Sequence, residues 1–236
     1  MPLTLDQQNT YRKRYAQKHS NWQPATVVYE QTIRAQWKAG QTLLDLGCGR
    51  GGVLEQVTDL EGQRIGVDPD WASLVEHRLP TLPRAAANAD QLPFVDSSFR
   101  MVIAAWVLEH LPQPEHTFAE ISRVLQPGGV CIVMTPNRSS PIAWLNRTLK
   151  PLQQTLVPLL YGRAEADTFP VVYRANTPKD LEAVAQKTGL TLETCHLIPD
   201  PTYLAFNEPL YRVSAALTDL LPPKYAVHLV AVLRKK

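Results

Sequence analysis

Little in this chain serves disulfide or metal chemistry. Its three cysteines, Cys48, Cys131 and Cys195, are widely spaced and form no C-x-x-C pair, which argues against the common zinc motifs and a disulfide framework. His19, His77 and His116 show no metal-ligand spacing, and His196 and His228 fall inside segments that read as strands, as packed or surface residues. No metal is therefore expected. An excess of one charge is missing too: 24 basic and 22 acidic residues, spread along the chain, leave a formal charge of +2. Neither a basic block for nucleic acid nor an acidic disordered tail is present. No window has the uncharged length of a membrane span, and the polar start "MPLTLDQQNTYRKRYAQKHS" lacks the apolar core of a secretory signal. The expectation is a soluble, cytoplasmic chain in a reducing compartment, with one core in a single domain over 1–236.

What is present is an alternation. After an N-terminal segment, 1–40, whose Tyr11, Tyr15, Trp22, Val27, Val28, Ile33 and Trp37 fit one or two amphipathic helices, Gly40 marks a stop. Short apolar runs follow, "TLLDLG", "RIGVDP", "RMVIAAWVL" and "GGVCIVMTP", with "GVLEQVTDL", "WASLVEHRL" and "PEHTFAEISRVL" between them as helices. Strands alternating with helices over 41–136 predict βαβ units and a parallel sheet with ligands at the strand C-termini. From Asn137 the pattern breaks. A Leu- and Pro-rich stretch, 137–175, reads as a helical cap interrupted by Pro151 and Pro158. Order returns over 176–236: Thr177 as N-cap, Pro178 at the first helical position and Gly189 at the end bracket a helix. "LTLETCHLI" and "KYAVHLVAVLRKK" read as two last strands, and the five-proline stretch 199–223 between them as a second insertion.

The chemistry concentrates at the strand ends. "LLDLGCGRGG" carries Gly47, Gly49 and Gly52 as a G-x-G-x-x-G, where a ligand can approach the backbone and a following helix would aim its amides at it. Asp45 stands two residues ahead. Beside a pyrophosphate its carboxylate would add like charge, whereas S-adenosylmethionine, with a sulfonium and an ammonium group and no phosphate, turns it into an asset. Asp45 could also cap the next helix, and one carboxylate can serve both purposes. Asp68 in "GVDPD" suits the ribose hydroxyls of an adenosine cofactor, nicotinamide dinucleotides included. Asp90 in "NADQLPFVDSSF" is placed to accept the adenine amine, with Leu92, Pro93 and Phe94 as an apolar wall.

Together "LLDLGCGRGG", "GVDPD", "NADQLPFVDSSFRMVIAAWVLEHL" and "LQPGGVCIVMTPN" resemble, in this order, the motifs of class I S-adenosylmethionine-dependent methyltransferases. The likeness is greatest to the type 11 branch that includes the quinone-biosynthesis enzymes. It covers about Leu43 to Asn137, and "YRANTPKDLEAVAQKTGL" more loosely. The resemblance implies a doubly wound, Rossmann-like α/β fold with a seven-stranded, mostly parallel sheet, whose final strand, Lys224 to Leu233, runs antiparallel beside the fifth. It implies that Asp45, Gly47, Gly49 and the Cys48 backbone face the methionine part of the cofactor, that Asp68 holds the ribose with Pro69 and Asp70 lining the turn, and that Asp90 and Gln91 meet the adenine. It also implies that Trp106 lies near the methyl donor, with Tyr11 and Tyr15 as a lid.

For the acceptor the residues leave choices open. His110 in "LEHL" fits a proton acceptor or a loop-holding hydrogen bond, and Tyr173 with Arg174 could orient a substrate oxygen or simply hold a loop. Trp144 and the leucines of the cap fit an apolar substrate lid, core packing, an oligomer contact or a peripheral membrane contact aided by Arg138, Arg147 and Lys150. The expected function is O- or C-methylation of a small, partly apolar molecule. The alternatives are a non-catalytic cofactor-binding or partner-docking protein and a nicotinamide-dependent oxidoreductase. Base methylation lacks its Asn/Asp-Pro-Pro-Tyr/Phe tetrapeptide, since the fourth strand ends in "AAWV".

Overall fold

The computed structural model describes residues 3–148 and 171–236. Two helices, α1 (Leu5–Lys18) and α2 (Ala25–Gln36), precede the alternating unit. The strands are β1 (Gln41–Leu46), β2 (Gly62–Asp68), β3 (Arg84–Ala86), β4 (Phe99–Ala105), β5 (Leu125–Pro136), β6 (Leu190–Ile198) and β7 (His228–Lys235). They form one seven-stranded sheet in the order β3-β2-β1-β4-β5-β7-β6. β1 through β5 run parallel, while β7 enters antiparallel between β5 and β6. The expected sheet and its reversed last strand are therefore present. The strand starts at His228, because Lys224 and Tyr225 form a 3-10 turn before it.

Both faces of the sheet are covered, which is why β1, β4 and β5 read as nearly unbroken apolar runs. Side chains alternate across a strand. Leu44, Leu46, Val102, Ala104, Cys131 and Val133 meet Phe118 and Ile121 of α4 (Pro114–Val124) and Leu181 and Val184 of α6 (Pro178–Lys187). On the other face Leu43, Met101, Ile103, Val130 and Ile132 meet Tyr29 and Ile33 of α2. Each of the largest fully buried residues contributes about 1.5–3 kcal/mol by leaving water.

Two expected helices differ. After the glycine loop the chain makes only a 3-10 turn, Val53–Glu55. Its later carbonyls are taken by arginines from elsewhere: Arg34 of α2 donates to Gln56 O at 2.7 Å, and Arg64 of β2 donates to Thr58 O and Leu60 O. With those partners, and with Leu54 and Val57 already buried, a helix is not needed to satisfy the backbone. The helix after β2 shortens to α3 (Trp71–Val75). Within the expected cap, α5 (Pro141–Thr148) is present, and the part with Lys150, Pro151 and Pro158 lies outside the described residues. The second insertion contains α7 (Glu208–Leu220), started by Asn207, whose side chain accepts from Leu210 N.

The boundary of α6 follows local chemistry. Thr177 Oγ1 accepts from Asp180 N at 3.1 Å, and Gly189 turns the chain out at φ +76°. Removing the cap hydroxyl by Thr177→Ala is expected to lower the unfolding free energy by about 1 kcal/mol without changing the urea m-value. Equilibrium urea unfolding measures both quantities.

Candidate active site

The alternation that builds the core also buries a carboxylate. Asp45 shares its sheet face with Leu43, toward α2, and is only 5% exposed at the end of β1. Burial, and then the negative charge of Asp68 on the neighbouring strand, push its carboxyl up to about 7. The effect is felt across the layer: burial and then Asp45 drive the Tyr29 phenol far above its ordinary value.

Asp68 is held in a different way. Its Oδ2 accepts from Gly49 N and its Oδ1 from Asp70 N, both at 2.9 Å. Asp70 in turn caps α3 through Ala72 N and Ser73 N. The second strand end is thereby tied to the glycine loop, with Pro69 exposed on the turn between them. Gly47, at φ +74°, donates from its N–H to Val67 O at 2.7 Å. A Cβ there would lie 2.4 Å from Val107 Cγ2, so only glycine lets the loop press against the end of β4. The Cys48 side chain turns inward onto Gly66, and burial, then Asp45 and Asp68, raise its thiol to about 12. This is a packing thiol, not a reactive one.

The adenine side is more open. Asp90 and Gln91 are exposed on the turn that follows β3, where Gln91 N donates to Asn88 O. The expected apolar wall is only partly there. Leu92 is buried in the core, and Phe94 packs edge-on against Phe99 at 4.9 Å.

A second group of residues gathers at the ends of β4, β5 and β7. Trp106 has φ +60° and is 37% exposed, with its N–H bonded to Met134 O. An indole held in this left-handed conformation costs on the order of 1–3 kcal/mol. His110 lies half-buried in the 3-10 turn Leu108–His110. Its neighbour Glu109 is buried, accepts from Thr135 Oγ1 at 2.9 Å, and has its carboxyl raised chiefly by burial. Asn176 Nδ2 donates to the same hydroxyl at 2.6 Å, and Asn176 Oδ1 has no partner among the described residues. Tyr173 is buried at φ +53° beside this network, bonded to Asn146 of α5, its phenol raised by burial and then by Glu109. Arg174 and Trp144 are both exposed.

The tyrosines expected as a lid are spent elsewhere. Tyr11 stacks on Tyr211 of α7 at 4.3 Å, and Tyr15 donates to Asp219 Oδ1 at 2.5 Å. Both rings pack in the α1–α7 interface.

His228, read above as a packed or surface strand residue, is at the site edge. Antiparallel β7 places its first residue beside Pro136, the last of β5. The imidazole contacts Trp106 at 5.2 Å and bonds Tyr203 Oη through Nε2 at 2.7 Å, while Nδ1 is buried without a partner among the described residues. Burial holds its basicity down, to a value of about 4. The reversed last strand was the signal that could have found it, since such a strand begins at the edge where its parallel neighbours end.

Residues 44–133 match the family model of a methyltransferase domain, type 11. A protein of Mycolicibacterium smegmatis named as a probable S-adenosylmethionine-dependent methyltransferase is 38% identical over 114 residues, 48% of this chain and 44% of that protein. The sterol 4-C-methyltransferase strm-1 of Caenorhabditis elegans is 34% identical over 98 residues, 38% of this chain and 29% of that protein. The matched stretch thus spans less than half of either relative. Among solved structures, geranyl diphosphate C-methyltransferase from Streptomyces coelicolor superposes with a TM-score of 0.65 at 13% identity, covering 89% of this chain and 80% of that one. The [4+2]-cyclase SpnF superposes with a TM-score of 0.59 at 15% identity, covering 89% and 81%. These structures establish the fold. Residues 44–133, less than half of the chain, are thus similar to a type 11 methyltransferase domain.

The contact between Cys48 and Gly66 provides a check on the loop. A Cβ on Gly66 would lie 2.7 Å from Cys48 Sγ. Gly66→Ala is expected to destabilise the protein by about 1–3 kcal/mol, and adding Cys48→Ala to recover part of that loss. A double-mutant cycle in urea measures the coupling.

Proposed function

We propose that this chain is an S-adenosylmethionine-dependent methyltransferase that transfers the methyl group to an oxygen or carbon of a small, partly apolar molecule. The observation that carries the reading is the buried Asp45 carboxylate, facing Asp68 at a glycine loop that no helix follows. Dinucleotide pyrophosphates are received by helix N-termini. Here the helix is missing and a carboxylate stands in its place, an arrangement that disfavours phosphate and favours a cation.

In this reading the cofactor supplies an electrophilic methyl on a sulfonium. Asp45 and the Gly47–Gly49 backbone hold its cationic methionine end, Asp68 accepts the ribose hydroxyls, and Asp90 with Gln91 meets the adenine. Trp106 lies over the donor, where an aromatic face attracts a cation. In-line displacement at an activated carbon needs chiefly alignment and exclusion of water. Tyr173, whose raised phenol stays protonated, suits the orienting of an acceptor oxygen better than the removal of its proton. His110 and the buried Glu109 carboxyl remain as proton acceptors where the acceptor is a hydroxyl. Trp144 and Arg174 contribute contacts from the cap side. An apolar acceptor agrees with the relative and the neighbour named for a sterol and for geranyl diphosphate.

The pH dependence of cofactor binding tests the carboxylate. Below pH 7 the free Asp45 carboxyl is protonated, and a cation binds only after that proton leaves. Affinity for S-adenosylmethionine is therefore expected to fall by about tenfold per pH unit from 7 towards 5. Isothermal titration in buffers of different ionisation enthalpy should register one released proton at pH 6, and Asp45→Asn should bind weakly with a flat profile over this range. Wild-type affinity independent of pH over the same range would overturn the role of Asp45. Binding of the cofactor without turnover of any sterol, isoprenoid or phenolic acceptor would favour a non-catalytic protein.

A further inference from the structure

Helix α7 is mounted with its polarity reversed. Three of its charged and aromatic residues contact α1: Glu208 pairs with Arg14 at 2.5 Å, Tyr211 stacks on Tyr11, and Asp219 accepts from Tyr15. Its apolar residues face outward. Leu210 (43%), Val213 (57%), Leu217 (55%) and Leu220 (80%), continued by Leu221 (41%), are all exposed. At 3.6 residues per turn these positions fall within an arc about 100° wide, a continuous stripe of the kind a helix normally turns to a core.

Two observations choose the occupant. The stripe is small: a 13-residue helix is about 20 Å long, and one third of its girth adds about 10 Å, roughly 200 Å² in all. A standard protein interface buries about 800 Å² per partner, so a second copy would need far more surface than the stripe offers. A helix lying in a bilayer interface needs no more than such a face with cations around it. Cations lie on one side of the stripe and at its end: Arg212 and Ala216 of α7 line the α1–α7 groove with Lys18, and the exposed Lys224 follows Leu221 by three residues. No described helix is long and apolar enough to cross a membrane.

We propose that the Leu210–Leu221 face of α7 docks this protein peripherally onto an anionic lipid bilayer. The helix lies in the segment between β6 and β7, which returns to His228 at the ligand edge of the sheet. The docking does not depend on the proposed activity, and its test does not use it.

Full-length protein is to be sedimented with vesicles of phosphatidylcholine, with and without phosphatidylglycerol. The wild type is expected to pellet with the phosphatidylglycerol vesicles and to be released by salt, as the cation contribution is screened. Val213→Glu/Leu217→Glu should lower the partition coefficient by about tenfold or more, since burying one leucine is worth at least that factor. Both positions are more than half exposed, so the thermal midpoint should not change. A wild type that stays in the supernatant, a variant that pellets equally, or equal pelleting on phosphatidylcholine alone would overturn the proposal. A dimer in equilibrium sedimentation that the double variant splits would assign the stripe to a second copy instead.

Discussion

Two carboxylates on adjacent parallel strands, one buried and the other bound by backbone amides, set the terms for the rest of this structure. The Asp45 charge is opposed both by its burial and by Asp68, and burying a charge unpaired is among the costliest things a fold can do. Free protein escapes by protonating the group. The contacts around it leave little other freedom. Tyr29 and Leu43 close one side, Gly47 presses on Val107, and Cys48 is wedged over Gly66. Apart from protonation, positive charge brought in from outside would relieve such a carboxylate, which is the property the proposed function rests on.

That logic was partly legible in the amino-acid order. Strands β1, β4 and β5 are apolar runs because both their faces are covered, and Thr177, Pro178 and Gly189 mark α6 through interactions that span no more than a few residues. Local chemistry of this kind survives in a sequence. The missing helix after Gly52 does not, because its carbonyls are satisfied by Arg34 and Arg64, which no local pattern connects to them. The contacts of Tyr11 and Tyr15 are hidden for the same reason. Their partners, Tyr211 and Asp219, are about two hundred positions away, and only the packing of α1 on α7 brings them together.

The candidate acceptor side shows a different kind of tension. Trp106 and Tyr173 both hold left-handed backbone angles, and Asn176 Oδ1 and His228 Nδ1 are buried without partners among the described residues. Each feature costs of order 1–3 kcal/mol. All four lie around the ends of β4, β5 and β7. Glu109, Thr135 and Asn176 are joined there by side-chain hydrogen bonds, and a network of this kind rigidifies the edge.

Topology explains why cofactor side, acceptor side and surface stripe converge. In a wholly parallel sheet the ligand edge receives only the loops that leave the strands. Antiparallel β7 adds a strand that begins there, so the connection from β6 to β7 starts and ends at that edge. That connection carries Tyr203, which bonds His228, and α7 with its outward leucines. A helix placed there for packing alone would turn those leucines inward. Instead α7 docks on α1 through ion pairs and stacked tyrosines, contacts that fix its orientation while leaving the apolar face to the outside. One reversed strand thus joins the candidate site, through a single connection, to the one outward-facing leucine helix among the described residues.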